Sequence, residues 1–329
     1  MMNWRKPILS GFVLLALAGC HRSLGVAAAV TICRGMCDAS AVVPLDDELF
    51  VVADDEDNIL RVYSRTQGGA PLQTLDLSSF LRVDPKSPEA DLEAAAPLGD
   101  RVYWITSHAQ NKNGKDRPSR RRLFATTLTV SNGTAIVKPV GEPGVRLLTD
   151  LFSDPRLKLF NLEAAAKRAP KTKNALNIEA LCATPEGQLL IGFRNPVPEG
   201  KALIVPLLNP AEVVEGKPAR FGDPLLLDLG GLGIRSLARV GDRYFLIAGA
   251  FDGGGQSHLY EWNGGADAPR RLPRPELANL NPEAIEAVPG DTSRLLVVSD
   301  DGTLKIGGKD CKTVADPNLK YFRATTIDL

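Results

Sequence analysis

Acids and cations recur at fixed places in a short phrase that the chain repeats five times. The copies read DASAVVPLDDELFVVADDED from Asp38, DLEAAAPLGDRVYWITSHAQ from Asp91, NIEALCATPEGQLLIGFRNP from Asn177, GIRSLARVGDRYFLIAGAFD from Gly233 and NPEAIEAVPGDTSRLLVVSDDG from Asn281. The third residue of each copy is Ser40, Glu93, Glu179, Arg235 or Glu283, and the second apolar run leads to Asp55, His108, Arg194, Ala250 or Asp300. These residue types fit two kinds of chemistry. Glu179 or Glu283 could act as a general base with His108 as proton carrier, while Arg122, Arg194 and Arg235 stabilise developing negative charge. Alternatively, Glu93, Arg122, Arg194, Arg235 and Asp300 could line a site that only binds a small anionic ligand, since guanidinium forks suit phosphate and carboxylate oxygens. No serine–histidine pairing marks a covalent nucleophile. No glycine fingerprint before a helix marks a nucleotide cradle.

Two loops add charge to this set. The acidic run Asp54-Asp55-Glu56-Asp57-Asn58 offers Asp55 and Asp57, with Asp301 from the last copy, as carboxylate ligands for Ca²⁺. It lacks the spacing and glycine of an EF-hand loop, and a solvated turn is the other reading. The stretch from His108 to Arg122 carries Lys112, Lys115, Arg117, Arg120, Arg121 and Arg122. Lys+Arg and Asp+Glu are equal at 39 each, so one basic loop in a neutral chain argues against nucleic acid as a partner.

The elements that must position these groups follow from the phrase itself. Each copy is a β-hairpin signal: two β-rich runs around a turn with Gly, Asp or Pro. Runs such as LFVVA, VYWIT, LLIGF and RLLVV are apolar on both faces, as in strands covered on both sides. Repeats of this length mean stacked units, and a four-stranded unit is a propeller blade. The expected fold is therefore an all-β propeller with five blades. In a hairpin the start of the first strand lies beside the end of the second. That places the two charged columns together around one axis. The step from Glu93 to Glu179 is the longest, and its surplus holds LFSDPRLKLFNLEAAAKRA, where Asp154 and Pro155 open a helix-like stretch. One inserted helical segment is expected there, with a degenerate sixth blade as the alternative.

The 329 residues include 30 Gly and 24 Pro, in keeping with many turns. Three segments are expected: a leader over 1–19, a tether over 20–30 and the propeller over 31–329. The leader has Arg5 and Lys6 before an apolar run too short to span a bilayer. Leu17-Ala18-Gly19-Cys20 resembles the lipobox of bacterial lipoproteins. That resemblance implies diacylglyceryl attachment at Cys20, membrane partnership through the lipid, and a place in the cell envelope, on an outer membrane facing the periplasm or cell surface. Cleavage after Ala18 and retention as an anchor are the alternatives. The remaining cysteines are Cys33, Cys37, Cys182 and Cys311, and their pairing is open. A bridge from Cys33 or Cys37 to Cys311 would join the two ends of the ring, and a strand over 27–33 could complete the last blade.

The stretches GMCDASA (35–41), DDEDNILRVYS (54–64), YWITSHAQNKNGKDRPSRRRLFAT (103–126), LNIEAL (176–181) and LLIGFRNPVPEGKALIVPL (189–207) resemble the bacterial domain-of-unknown-function 3616 family. The likeness runs over about residues 31–329 and implies a β-propeller with no settled activity. The repeated x-E-A pattern is more distantly similar to esterase-like phytase and SdiA-regulated propellers, which implies phosphoester hydrolysis or Ca²⁺ binding. The sequence has no Arg-His-Gly phosphatase motif. Binding and hydrolysis both stay open, and no protein partner can be named.

Overall fold

The computed structural model describes Met1 and residues 29–329. The leader, the lipobox with Cys20 and most of the expected tether lie outside the described residues. Five four-stranded antiparallel sheets stand around one axis. Blade 1 comprises Ala39–Pro44, Leu49–Asp54, Ile59–Ser64 and Gln73–Asp76. Blade 2 comprises Leu92–Leu98, Arg101–Thr106, Leu123–Ser131 and Thr134–Gly144. Blade 3 comprises Asn177–Ala183, Leu189–Asn195, Ala202–Leu207 and Leu225–Leu227. Blade 4 comprises Gly233–Val240, Arg243–Gly249, His258–Trp262 and Arg270–Leu272. Blade 5 comprises Pro282–Ala287, Arg294–Ser299 and Tyr321–Asp328, and takes its outer strand, Val30–Arg34, from the other end of the chain.

Burial explains the apolar runs. Both faces of the second strands in blades 1 and 3 are fully covered, because each blade is sandwiched between two others. The core divides accordingly into five clusters, one per blade interface. Val51 and Trp104 belong to the cluster between blades 1 and 2, and Ile105 and Ile191 to that between blades 2 and 3. Ile204 and Leu246 belong to the cluster between blades 3 and 4, Phe245 and Val297 to that between blades 4 and 5, and Phe50 and Phe322 to that between blades 5 and 1. The inner strands touch in sequence order, and the last touches the first.

The surplus between the second and third copies is helical, and no sixth blade forms there. Leu147–Ser153, Pro155–Phe160 and Leu162–Ala165 pack Leu148, Leu151, Leu157 and Phe160 onto the interface of blades 2 and 3. Asp154 caps the second of these, accepting from the Arg156 amide at 3.0 Å, with Pro155 just inside. Among the described residues no helix is long and apolar enough to cross a membrane.

The ring is fastened where its ends meet. Val30–Arg34 pairs with Tyr321–Asp328, with Cys33 opposite Phe322. Of the open pairings, the structure selects Cys37–Cys311, a bridge across 274 residues of sequence. Cys33 and Cys182 are buried free thiols.

Two outcomes follow. Replacing both Cys37 and Cys311 with Ser should lower the unfolding free energy by up to about 5 kcal/mol, read by denaturant titration, because so long a loop is closed by the bridge. The second concerns Glu286, a buried carboxylate on the inner strand of blade 5 whose Oε1, among the described residues, accepts only the adjacent Ala287 amide, at 2.8 Å. Burial pushes its pKa from 4.5 up to about 8. Below pH 4.5 the acid is neutral in both folded and unfolded chains. Between there and about 8 only the unfolded chain ionises, so stability falls as pH rises through that window. Glu286→Gln should raise Tm above pH 8 and leave it nearly unchanged below pH 4.5; an equal change at both ends would contradict this assignment.

Candidate functional site

The third residue of every repeated phrase occupies a β-bulge. In blade 1 the ladder pairs Ala39 with Asp54 and Ala41 with Ala53, skipping Ser40. It skips Glu93 between Leu92 and Ala94, Glu179 between Ile178 and Ala180, Arg235 between Ile234 and Ser236, and Glu283 between Pro282 and Ala284. A bulge inserts one residue that has no cross-strand partner and re-aims its side chain. Repeated around an axis, it turns all five residues into one central cavity of about 600 Å³. The residue after each bulge is Ala or Ser, which suits the close approach of inner strands. At Gly192 an added Cβ would come within 2.8 Å of the Ala180 Cβ.

The structure brings together Glu93, Glu179, Glu283, Arg194, Arg235, Asp300 and Asp55 along this cavity. Four expected residues are not on its wall. His108 is 1% exposed, at φ 54°, with its Nδ1 2.8 Å from the Thr106 carbonyl and its own amide bonded to the Arg120 carbonyl. The turn folds the imidazole into the base of the basic loop, where burial pushes its pKa down to about 4. Arg122 donates to the carbonyls of Leu81, Pro118 and Arg82, tying blade 2 to its neighbouring loop. Asp57 is held by Arg61 at 2.6 Å, and Asp301 by Arg323 at 2.6 Å and the Ser299 hydroxyl at 2.8 Å. Both acids have a guanidinium in place of an ion.

Several cavity residues carry no emphasis in the sequence reading. Asp38, Asp91, Asn177 and Asn281 all line it, and each is the first residue of its phrase. The signal was present: the position is polar in four copies, two residues before each bulge. The exception is Gly233, where a Cβ would collide with the backbone carbonyl of Arg194. Lys86, Lys171 and Lys312 come from loops outside the phrase and have no repeat to reveal them.

The arginines of the ring are already engaged. Arg194 binds Glu179 Oε1 at 2.7 Å and the Ala250 carbonyl at 3.0 Å. Arg235 pairs with Glu283, approaches Glu179 Oε2 at 3.8 Å, and donates to Asn281 Oδ1 at 2.8 Å and the Ser257 hydroxyl at 3.0 Å. The other side of the cavity is different. Glu93 is 8% exposed and has neither a hydrogen-bond donor nor an ion pair among the described residues. Asp55 Oδ1 is buried and likewise without a donor. Asp91 meets Arg120 at 2.8 Å.

One ligand atom from each of Asp55, Asp91 and Glu93 lies within 4.8 Å of the others. Burial, reinforced by mutual repulsion, holds Asp55 and Glu93 well above the usual carboxylate range. Burial against the pull of Arg120 brings Asp91 to about 7. Two flanking triads share a member with this one: Asp38–Asp55–Glu56, and Glu93–Glu179–Glu283. Lys312 lies 2.8 Å from Glu56 and 3.7 Å from Asp38 in the first, and the arginines neutralise the second. In the central triad Arg120 meets only Asp91, so Asp55 and Glu93 are the carboxylates left without a paired cation among the described residues. The triad's all-oxygen donor set suits a hard divalent cation such as Ca²⁺.

No curated protein matches the sequence. Among solved structures, glutaminyl cyclase from Myxococcus xanthus is similar over 92% of this chain and 95% of its own, at 11% identity and TM-score 0.45. The PQQ-bound aldose sugar dehydrogenase from Streptomyces coelicolor is similar over 91% and 99%, at 12% identity and TM-score 0.42. A GH43 β-1,3-galactosidase with galactodeoxynojirimycin is similar over 92% and 94%, at 9% identity and TM-score 0.48. Likenesses of this degree carry no information about activity. Residues 129–301, more than half of the chain, match the family described as "Protein of unknown function (DUF3616)", and the chain belongs to that family.

Proposed function

We propose that the protein binds a small anionic ligand in its central cavity through a divalent cation held by Asp55, Asp91 and Glu93. One observation carries the reading: Asp55 Oδ1 is buried with no hydrogen-bond partner, beside two further carboxylates whose ligand atoms are within 4.8 Å. Burying an unpaired carboxylate is costly, and a cation removes that cost. The anionic part of the ligand belongs at the rim. Lys86, Lys112, Arg117 and Lys171 line the mouth from three separate loops, and none has an ion pair among the described residues. The cavity thus has an acidic side that takes the metal and a basic rim that takes phosphate or carboxylate oxygens.

Binding is favoured over hydrolysis. A phosphoesterase using Glu179 or Glu283 as base needs that carboxylate free, yet both are engaged by arginine. It also needs His108 and Arg122 at the cavity, which they do not line. The Cys37–Cys311 bond supports an oxidising compartment. The lipobox-like stretch Leu17-Ala18-Gly19-Cys20 supports the same reading, of a binder held by a lipid anchor in the cell envelope.

Calorimetric titration of the purified, EDTA-treated protein should show Ca²⁺ binding, and Ca²⁺ should raise Tm. Glu93→Gln should weaken Ca²⁺ binding by about 10-fold or more while the variant stays folded. A wild-type protein with no Ca²⁺ heat and no shift in Tm would exclude the metal. Inorganic phosphate should bind in the presence of Ca²⁺, and Lys112→Ala with Lys171→Ala should weaken it without changing Ca²⁺ affinity. Turnover of p-nitrophenyl phosphate that is lost in Glu179→Gln would instead favour the hydrolase.

A further inference from the structure

Resting on the cation site proposed above, we infer that Lys312 is a built-in counter-ion that sets how tightly the cavity holds its divalent cation, and that the Cys37–Cys311 bond keeps it in place. Lys312 lies outside the repeated phrases, in the segment that joins Arg294–Ser299 to Tyr321–Asp328 in blade 5. Its Nζ reaches across to blade 1, 2.8 Å from Glu56 Oε1 and 3.7 Å from Asp38 Oδ1. Those two acids form a triad with Asp55, and Asp55 also belongs to the triad with Asp91 and Glu93. Lys312 pairs with Glu56 and Asp38 rather than with Asp55, so the ammonium opposes an entering cation through space, across the carboxylate common to the two triads.

Both members of the ion pair are anchored by the disulfide. Asp38 follows Cys37 in the chain, and Lys312 follows Cys311. Hydrogen bonds hold the same junction: the Asp301 amide donates to the Cys37 carbonyl at 2.9 Å, and the Lys312 amide to the Gly302 carbonyl at 3.1 Å. The Asp38 carboxylate lies where a Cβ on residue 302 would be, so a glycine is needed there. The covalent bridge that closes the propeller also presents a positive charge to the binding cavity. Lys312 is a positioning and tuning group; the cation's ligands are the central carboxylates.

The sign of the effect separates this role from a structural one. Lys312→Gln removes a positive charge beside Asp55 and should tighten Ca²⁺ binding to the full chain by about 10-fold in low salt. Lys312→Arg keeps the charge and should bind as the wild type does. A lysine that only braced the fold would give the reverse: a lower Tm and weaker binding in Lys312→Gln. Cys37→Ser with Cys311→Ser should shift affinity in the same direction as Lys312→Gln. Wild-type affinity in that folded double variant would overturn the role of the disulfide, and if it fails to fold, the two Lys312 variants still decide. Unchanged or weaker Ca²⁺ binding by Lys312→Gln would overturn the inference while the wild-type cation site stands. Binding by Lys312→Gln but not by wild type would reject the cation site in the native protein and uphold Lys312 as the group that blocks it. Binding by neither would reject both.

Discussion

A sheet that is apolar on both faces cannot be stable alone, and this constraint organises the whole molecule. Each blade needs a neighbour on either side, so the stack must bend round until its ends meet. Five interfaces then share the core, and no blade is left with an uncovered face. Closure falls to the two ends of the described chain: Val30–Arg34 completes the last blade, and Cys37–Cys311 locks the seam. The strand supplies backbone pairing, while the disulfide limits how far the seam can open in the unfolded chain.

Closure also creates an electrostatic problem. It drives the beginnings of five inner strands toward one axis, and a bulge in each turns a side chain inward. Three of these side chains are glutamates. Carboxylates crowded into a partly dry space repel one another and lose hydration. Arg194 and Arg235 answer this for Glu179 and Glu283. They are best understood first as counter-ions that make the ring possible. Removing either would leave a buried carboxylate uncompensated, which costs more than the pair contributes.

Much of this was legible in the repeats. Hairpin register alone predicts that Glu93, Glu179, Arg235 and Glu283 share a cavity, and that Asp55, Arg194 and Asp300 join them. It fails for His108 because register fixes where a strand ends but not the torsion of the next residue. A left-handed φ of 54° at that position folds the ring away. It also fails for Arg122, Asp57 and Asp301, since a charged residue's partner is set by tertiary proximity. Arg122 is satisfied by four carbonyls, and the two acids by Arg61 and Arg323. Lys312 was illegible for a related reason: its place depends on which cysteine pairs with Cys311, and four cysteines leave that choice open.

The departures from perfect repetition are what polarise the cavity. Copy four replaces an acid with Arg235, and its neighbourhood is cut down to admit it. Gly249 leaves room for the Arg235 side chain, whose Cδ would lie 2.8 Å from an added Cβ, and Gly233 leaves room for the backbone of Arg194. From that position Arg235 reaches the glutamates of both adjoining blades, Glu179 and Glu283. Blades 3, 4 and 5 therefore contribute a nearly neutral arc. Blades 1 and 2 keep Asp38, Asp55, Asp91 and Glu93, with only Lys312 and Arg120 in opposition. Had every copy kept a glutamate, the ring would repel itself evenly and favour no point within it. One arginine at the fourth position, shared between two acids, discharges one side and concentrates the remaining negative potential on the other. A broken five-fold symmetry thus gives the cavity a direction, with Asp55 and Glu93 left on one side without a paired cation among the described residues and the arginine-paired glutamates on the other.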